Sequence, residues 1–263
     1  MAANSDKARA KLYASFANNR KLSDVTLHYD KTVFYGHKII LATGSDYFMK
    51  LFTENPNRTT FRLLQHPSYR TITTTLTTTL TTTLAYLYDR DTLSLPLTPH
   101  LSPITHIRTL VALTHSSETF SIPKLQSDAL SKIAKLLTDF LAPHQPFDHH
   151  GLGEIFASLS GLSPASMKKG AKGIVEAMGQ RWWAVLDVKE VGEVLKVHEA
   201  LRGVVGERYK RERGMVEREG REVWGCGGEE GCGWFVEVEK GREEGWRCES
   251  CGGEMGRGFE GPR

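Results

Sequence analysis

The sequence predicts an α+β fold: a small sheet flanked by helices, then a helical region, then a small cysteine-bearing tail. Three observations carry this. Two short segments of alternating apolar residues precede a stretch of helical period between Asp24 and Phe52. Apolar residues recur at helical spacing from Ile104 to Val205. All four cysteines (Cys226, Cys232, Cys248 and Cys251) lie after residue 225. Three zones follow, 20–142, 147–223 and 224–263. Leu141-Ala-Pro-His-Gln-Pro-Phe147, with its two prolines, reads as the connection between the first two.

In the first zone, Lys7 to Ala17 is expected to be a short helix, with Leu12 and Phe16 on one face. Val25, Leu27 and Tyr29 alternate with Thr26 and His28, as in a half-buried strand. Asp30-Lys31 is the expected turn and Thr32 to Tyr35 the second strand, forming a hairpin. From His37 the period changes: Ile40, Leu41, Gly44, Phe48, Leu51 and Phe52 recur at helical spacing until Asn55-Pro56-Asn57 ends the run. Thr60 to Leu64 suggests a third strand.

Ten of the 13 residues from Thr71 to Thr83 are threonine, in a tandem repeat of period four. Ile72, Leu76, Leu80, Leu84 and Tyr88 share a face in either a helix or a strand, because four is even and close to 3.6. Threonine is a poor helix former, by up to ~0.7 kcal/mol against alanine. The flanking Ala85-Tyr-Leu-Tyr88 tips the expectation to helix. The tract itself reads as a compositional expansion.

Helical period returns with Ile104, Ile107, Leu110, Val111 and Thr114. It continues after Pro123 with Leu125, Ala129, Ile133, Leu136, Leu137 and Phe140. The second zone is expected to be helical throughout. Leu152 to Leu162 is one helix. Ser163 caps the next, with Pro164 at its first position and Met167, Ala171, Ile174, Val175 and Met178 on its face. Val188 to Arg213 reads as one charged amphipathic helix, with Val191, Val194, Leu195, His198, Leu201 and Val205 inward. Trp182 and Trp183 are expected to anchor helix packing.

Several of these residues also form a known pattern. Ser23-Asp-Val-Thr-Leu27 and Val33-Phe-Tyr-Gly-His-Lys-Ile-Ile-Leu-Ala-Thr-Gly-Ser-Asp-Tyr-Phe48 resemble a BTB/POZ domain. Leu41, Ala42, Ser45, Tyr47 and Phe48 fit the family's Leu-Ala-x-x-Ser-x-Tyr-Phe helix. Ala85-Tyr-Leu-Tyr88 and Phe120-Ser-Ile-Pro-Lys-Leu125, with Ala129, follow in the family's order. With its helical second zone and cysteine tail, the chain resembles filamentous-fungal members. The resemblance implies protein–protein association, as a homodimer or with another protein. It makes Asp24 the family's buried acid and Lys38 its basic partner, paired near the dimer interface. Two departures stand out. The helix ending at Tyr88 would be about two repeat units longer than the family's, and Asp89 to Pro103 is an irregular Pro- and Thr-rich loop. Family members that bind a cullin ubiquitin ligase carry an apolar-x-Glu element. Phe52-Thr-Glu54 has those letters but falls early, and Phe52 reads as core. His37, at a strand–helix junction, is expected to be packed and hydrogen-bonded.

The tail spacing, Cys226-x5-Cys232-x15-Cys248-x2-Cys251, reads as a zinc ribbon. Four thiolates satisfy a tetrahedral structural Zn²⁺ and leave no open catalytic position. Trp234 to Glu239 alternates like a strand, and Gly241 to Gly245 would make a turn. Free thiols and disulfides are the other readings of the same four residues. A single four-ligand site cannot make a two-zinc RING.

Composition narrows the function. The 263 residues are 40% hydrophobic with a net charge of +3, too weakly basic to argue for a nucleic-acid or membrane partner. From 201 to 263 there are 12 basic and 14 acidic residues. No paired carboxylates, nucleophile–base arrangement or phosphate loop stands out, so no enzyme is expected. His149-His150 reads as a pair of solvated loop residues. Without a signal-like or membrane-spanning segment, the expected setting is intracellular, nucleus or cytoplasm. The leading expectation is an interaction module. A cullin-ligase substrate adaptor and a nucleic-acid- or chromatin-associated zinc protein stand behind it.

Overall fold

A computed structural model describes residues 15–29, 32–63, 73–88, 102–186, 188–218, 221–226, 235–239 and 255–257. The chain divides into two compact units, Met1–Lys132 and Ile133–Arg263. Among the described residues no helix is long and apolar enough to cross a membrane.

The N-terminal unit is built on strands β1 (Val25–Tyr29), β2 (Thr32–Gly36) and β3 (Thr60–Arg62), in the order β2-β1-β3. The hairpin forms as the alternation predicts. β1 pairs antiparallel with β2, Val25 opposite Gly36 and Tyr29 opposite Thr32, and Val25, Leu27 and Tyr29 are buried. β3 adds to the other edge of β1 in parallel, with Leu27 opposite Phe61. A parallel neighbour needs a long crossover, and helices α1 (Lys38–Gly44) and α2 (Asp46–Glu54) supply it.

The single apolar run expected from His37 to Phe52 is therefore two helices. Ser45 breaks it by taking an extended conformation, φ −152° and ψ 119°. Its Oγ accepts from the N–H of Phe48 at 3.2 Å, capping α2, and donates to the carbonyl of Phe120. A buried hydroxyl that fills both roles fixes the break.

The threonine tract lies in helix α3 (Thr73–Tyr86), as expected. Its nine threonines cost up to ~6 kcal/mol against alanine. Burying Leu80 and Leu84 offsets about 3–6 kcal/mol of that, and Tyr86 adds to it. Thr83 is buried but hydrogen-bonded, its hydroxyl donating to Thr79 O at 2.8 Å and able to accept from the Ser116 hydroxyl 2.9 Å away. Ser116 belongs to α4 (Pro103–Thr119), capped by Ser102. Helix α5 (Pro123–Phe140) follows. An aromatic cluster joins these parts: Phe48 stacks on Phe120 at 5.4 Å and on Phe52 at 5.7 Å, and Phe52 meets Phe61 edge-on at 5.4 Å.

The C-terminal unit holds α6 (His149–Leu159), α7 (Pro164–Ala177), a short 3-10 turn, α8 (Trp182–Leu186), α9 (Lys189–Val197) and α10 (Glu199–Arg218). Ser163 caps α7 with Pro164 at its start, as its sequence predicts. Gly179 takes φ +49°, a left-handed turn open to glycine. There Arg208 donates to the carbonyls of Val175 and Gly179 at 2.6 and 3.1 Å. The Leu141–Phe147 connection is pinned by Arg181, which donates to the carbonyls of Pro143 and Gln145.

Two expectations are corrected here. Val188 to Arg213 is not one helix, because His198 is extended, φ −109° and ψ 91°, and separates α9 from α10. The buried His198 holds its Nε2 3.0 Å from Ser160 O. His149 and His150 are not loop residues but the first two residues of α6. His149 packs edge-on against Phe147 at 4.5 Å, while His150 is exposed, 3.5 Å from Glu154.

The tail contains a second sheet, β4 (Arg221–Cys226), β5 (Phe235–Glu239) and β6 (Met255–Arg257), antiparallel in the order β5-β4-β6. Only β5 follows from the alternation; β4 and β6 do not. Cys232, Cys248, Cys251 and the Gly241–Gly245 turn lie outside the described residues, as do most of the Lys7–Ala17 helix and most of the loop expected between 89 and 103.

Candidate interaction surface

The residues singled out by sequence meet where β2 passes into α1. Asp24 precedes β1, and Asp24 N–H bonds Gly36 O at 3.1 Å, closing the end of the hairpin. Its carboxylate Oδ1 accepts from the backbone N–H of Lys38 at 2.8 Å. Lys38 is the first residue of α1, whose own N-cap, His37, offers no side-chain bond. Asp24 therefore caps this helix from another element, with its negative charge at the positive end of the helix dipole.

This replaces the ion pair that the resemblance implies. The ammonium of Lys38 donates to Pro56 O at 2.6 Å instead, tying α1 to the turn after α2. Asp24 is exposed and Lys38 half-buried, so the two are brought together through backbone, not as a buried charge pair.

His37 is packed and hydrogen-bonded, as expected. Its N–H donates to the hydroxyl of Tyr88 at 2.7 Å, and its Nδ1 lies 3.1 Å from the same oxygen. Its ring meets Phe16 and Tyr88 edge-on at 5.9 and 5.8 Å. Burial pushes the Tyr88 phenol up to about 12; the nearby Asp24 charge adds to this, and the His37 N–H opposes it. Tyr88 thus keeps its proton, so it can donate to His37 Nδ1 while accepting from His37 N–H. Gly36 permits the approach: a Cβ there would lie 3.4 Å from the Tyr88 oxygen and 2.9 Å from Leu41 Cδ1.

Beside this polar junction two large apolar side chains are exposed among charged ones. Leu22, two residues before Asp24, is 52% exposed, and Ile39, next to Lys38, is 70% exposed. Arg20 lies over the ring of Tyr35 at 5.9 Å, and Asn18 Oδ1 accepts from Tyr35 N–H at 3.0 Å. The fold with its hairpin, crossover helices and parallel third strand is now complete around this corner.

Residues 13–90 match the BTB/POZ domain. No curated protein matches the chain. The BTB/POZ domain is a protein–protein interaction module, here a small mixed sheet flanked by helices and followed by a helical region. The corner just described lies wholly within the matched residues.

Sequence reasoning missed Leu22 and Ile39 as members of this surface, and the bond from His37 to the buried Tyr88 beneath it. Ile39 and Leu22 did leave a signal, since both are large apolar residues outside the periodic stripes beside them. Phe52 of the Phe52-Thr-Glu54 element is only 7% exposed and belongs to the aromatic cluster, so it is not offered to a partner.

Proposed function

We propose that the chain is a non-enzymatic interaction protein that self-associates through the BTB/POZ corner bearing Leu22 and Ile39. One observation carries this reading: Leu22 and Ile39, two large apolar side chains, stand exposed within two residues of the hydrogen-bonded Asp24 and Lys38. A surface that is pinned by hydrogen bonds and apolar at its rim loses little entropy on docking. Asp24 and Lys38 belong to the interface as its framework, holding α1 so that Ile39 faces outward. A cullin-adaptor role gains no support from Phe52, and the near-neutral tail gives none to nucleic-acid binding.

Light scattering on the full chain tests this. A dimeric mass is expected at micromolar concentration, falling to the monomer for Leu22→Glu with Ile39→Glu. A wild-type chain that stays monomeric at high micromolar concentration contradicts self-association.

A further inference from the structure

We infer that the outer edge of β2 accepts an added strand, an acidic extended segment of a partner protein. The two sheets have four outer strands, β2 and β3 in one, β5 and β6 in the other. Strand edges are ordinarily guarded against pairing by shortness or by charge. β3 and β6 have three residues each, and β5 carries Glu237 and Glu239. β2 has five residues, Thr32–Gly36, with neither a charge nor a proline.

Its backbone is set for pairing. Tyr35 turns its N–H away from β1, donating to Asn18 Oδ1 at 3.0 Å. Backbone groups alternate in direction along a strand, so Val33 also turns its N–H and C=O outward, as Tyr35 does its C=O. These three groups have no hydrogen-bond partner among the described residues. Asn18, exposed and at φ +56°, puts its side-chain oxygen where the carbonyl of a neighbouring strand would stand. An antiparallel newcomer that displaces it can exchange two bonds with Val33 and two with Tyr35.

The side chains set the chemistry of that newcomer. Val33 and Tyr35 lie on the side of the sheet opposite the buried Phe34. Residues paired with them share that side, two positions apart on the newcomer. The one beside Val33 is apolar and β-branched. The one beside Tyr35 is acidic, because Arg20 lies over the Tyr35 ring at 5.9 Å and Lys21 follows it. Neither cation has an ion pair among the described residues. No strand of this sheet contains an acid, and the nearby Asp24 carboxylate is engaged by Lys38 N–H. A basic flank of this kind selects a negative partner. The inference does not rest on self-association through Leu22 and Ile39.

A fluorescent peptide, Thr-Thr-Glu-Thr-Val-Thr-Thr, tests it on the full chain. Saturable binding is expected, about threefold weaker or more with lysine in place of glutamate, and about tenfold weaker when the valine is N-methylated and loses its donor. Hydrogen exchange at the Val33 amide should slow on adding the peptide, a readout that needs no variant. Asn18→Gly keeps the left-handed turn but frees Tyr35 N–H, and should bind about threefold tighter. Val33→Pro removes no bond to β1 and should bind at least about tenfold weaker. Leu22→Glu with Ile39→Glu should bind as the wild type does, which separates this edge from the dimer surface. No saturable binding at millimolar peptide, equal binding of the N-methylated peptide, or Val33 exchange that the peptide leaves unchanged would each overturn it. Val33 protection present without peptide and lost on dilution would assign the edge to a second copy, and would overturn it too.

Discussion

The chain builds two three-stranded sheets by different means. In the first, Val25, Leu27, Tyr29, Phe34 and Phe61 are buried, and a cluster from Phe48 to Phe120 covers them. That sheet is finished by its own core, and it leaves Leu22 and Ile39 over at the surface. The second sheet has short strands, with Glu237 and Glu239 in β5 and Arg221 and Glu222 at the outset of β4. Its alternation supports strands but leaves few apolar positions for a core. A sheet finished by its own core can present further apolar side chains to a partner.

Phe48→Ala separates the two sheets most sharply. It opens a cavity between Phe52 and Phe120 and should cost the N-terminal unit about 3–5 kcal/mol in urea unfolding.

Ser45→Ala removes both the α2 cap and the buried bond to Phe120 O, for about 1–3 kcal/mol. That residue also marks where the sequence was hard to read. The apolar stripe from Ile40 to Phe52 runs straight through Ser45, because two helices meeting at an extended residue can keep the same inward positions. Only the serine before Asp46, a capping signature inside a periodic run, points to the break. His198 hides the second break in the same way, as an apparent stripe member whose ring turns to Ser160 O. The β1 alternation, the hairpin and the Ser163-Pro164 helix start were legible because each is local. The parallel β1–β3 pair and the β4–β6 pair were not, since pairing between strands distant in sequence leaves no periodic trace. The Asp24–Lys38 contact follows as a pair only from the family resemblance, which implies charge with charge, and the bond goes to the backbone.

Asp24→Ala should therefore cost about 1 kcal/mol, and Lys38→Ala less, with the two effects near additive. A true ion pair would give similar losses that fail to add. Alkaline titration gives a further effect confined to the first unit. Folded Tyr88 keeps its proton to about pH 12, whereas an unfolded tyrosine loses it near 10. Between those values the unfolded state is favoured by deprotonation, so stability of the N-terminal unit falls as pH rises from 10 to 12. Tyr88→Phe should flatten that slope, read by tyrosine absorbance and urea midpoint together.

The smallest stability effect belongs to the proposed interface: Leu22→Glu and Ile39→Glu touch exposed residues and should change stability by no more than about 0.5 kcal/mol. Their effect on mass is the central test. Light scattering of the full chain across a micromolar concentration series should give a dimer for wild type and a folded monomer for the double variant. A monomer for wild type throughout the series, or a dimer that survives both substitutions, would contradict a BTB/POZ corner that binds a second copy of itself.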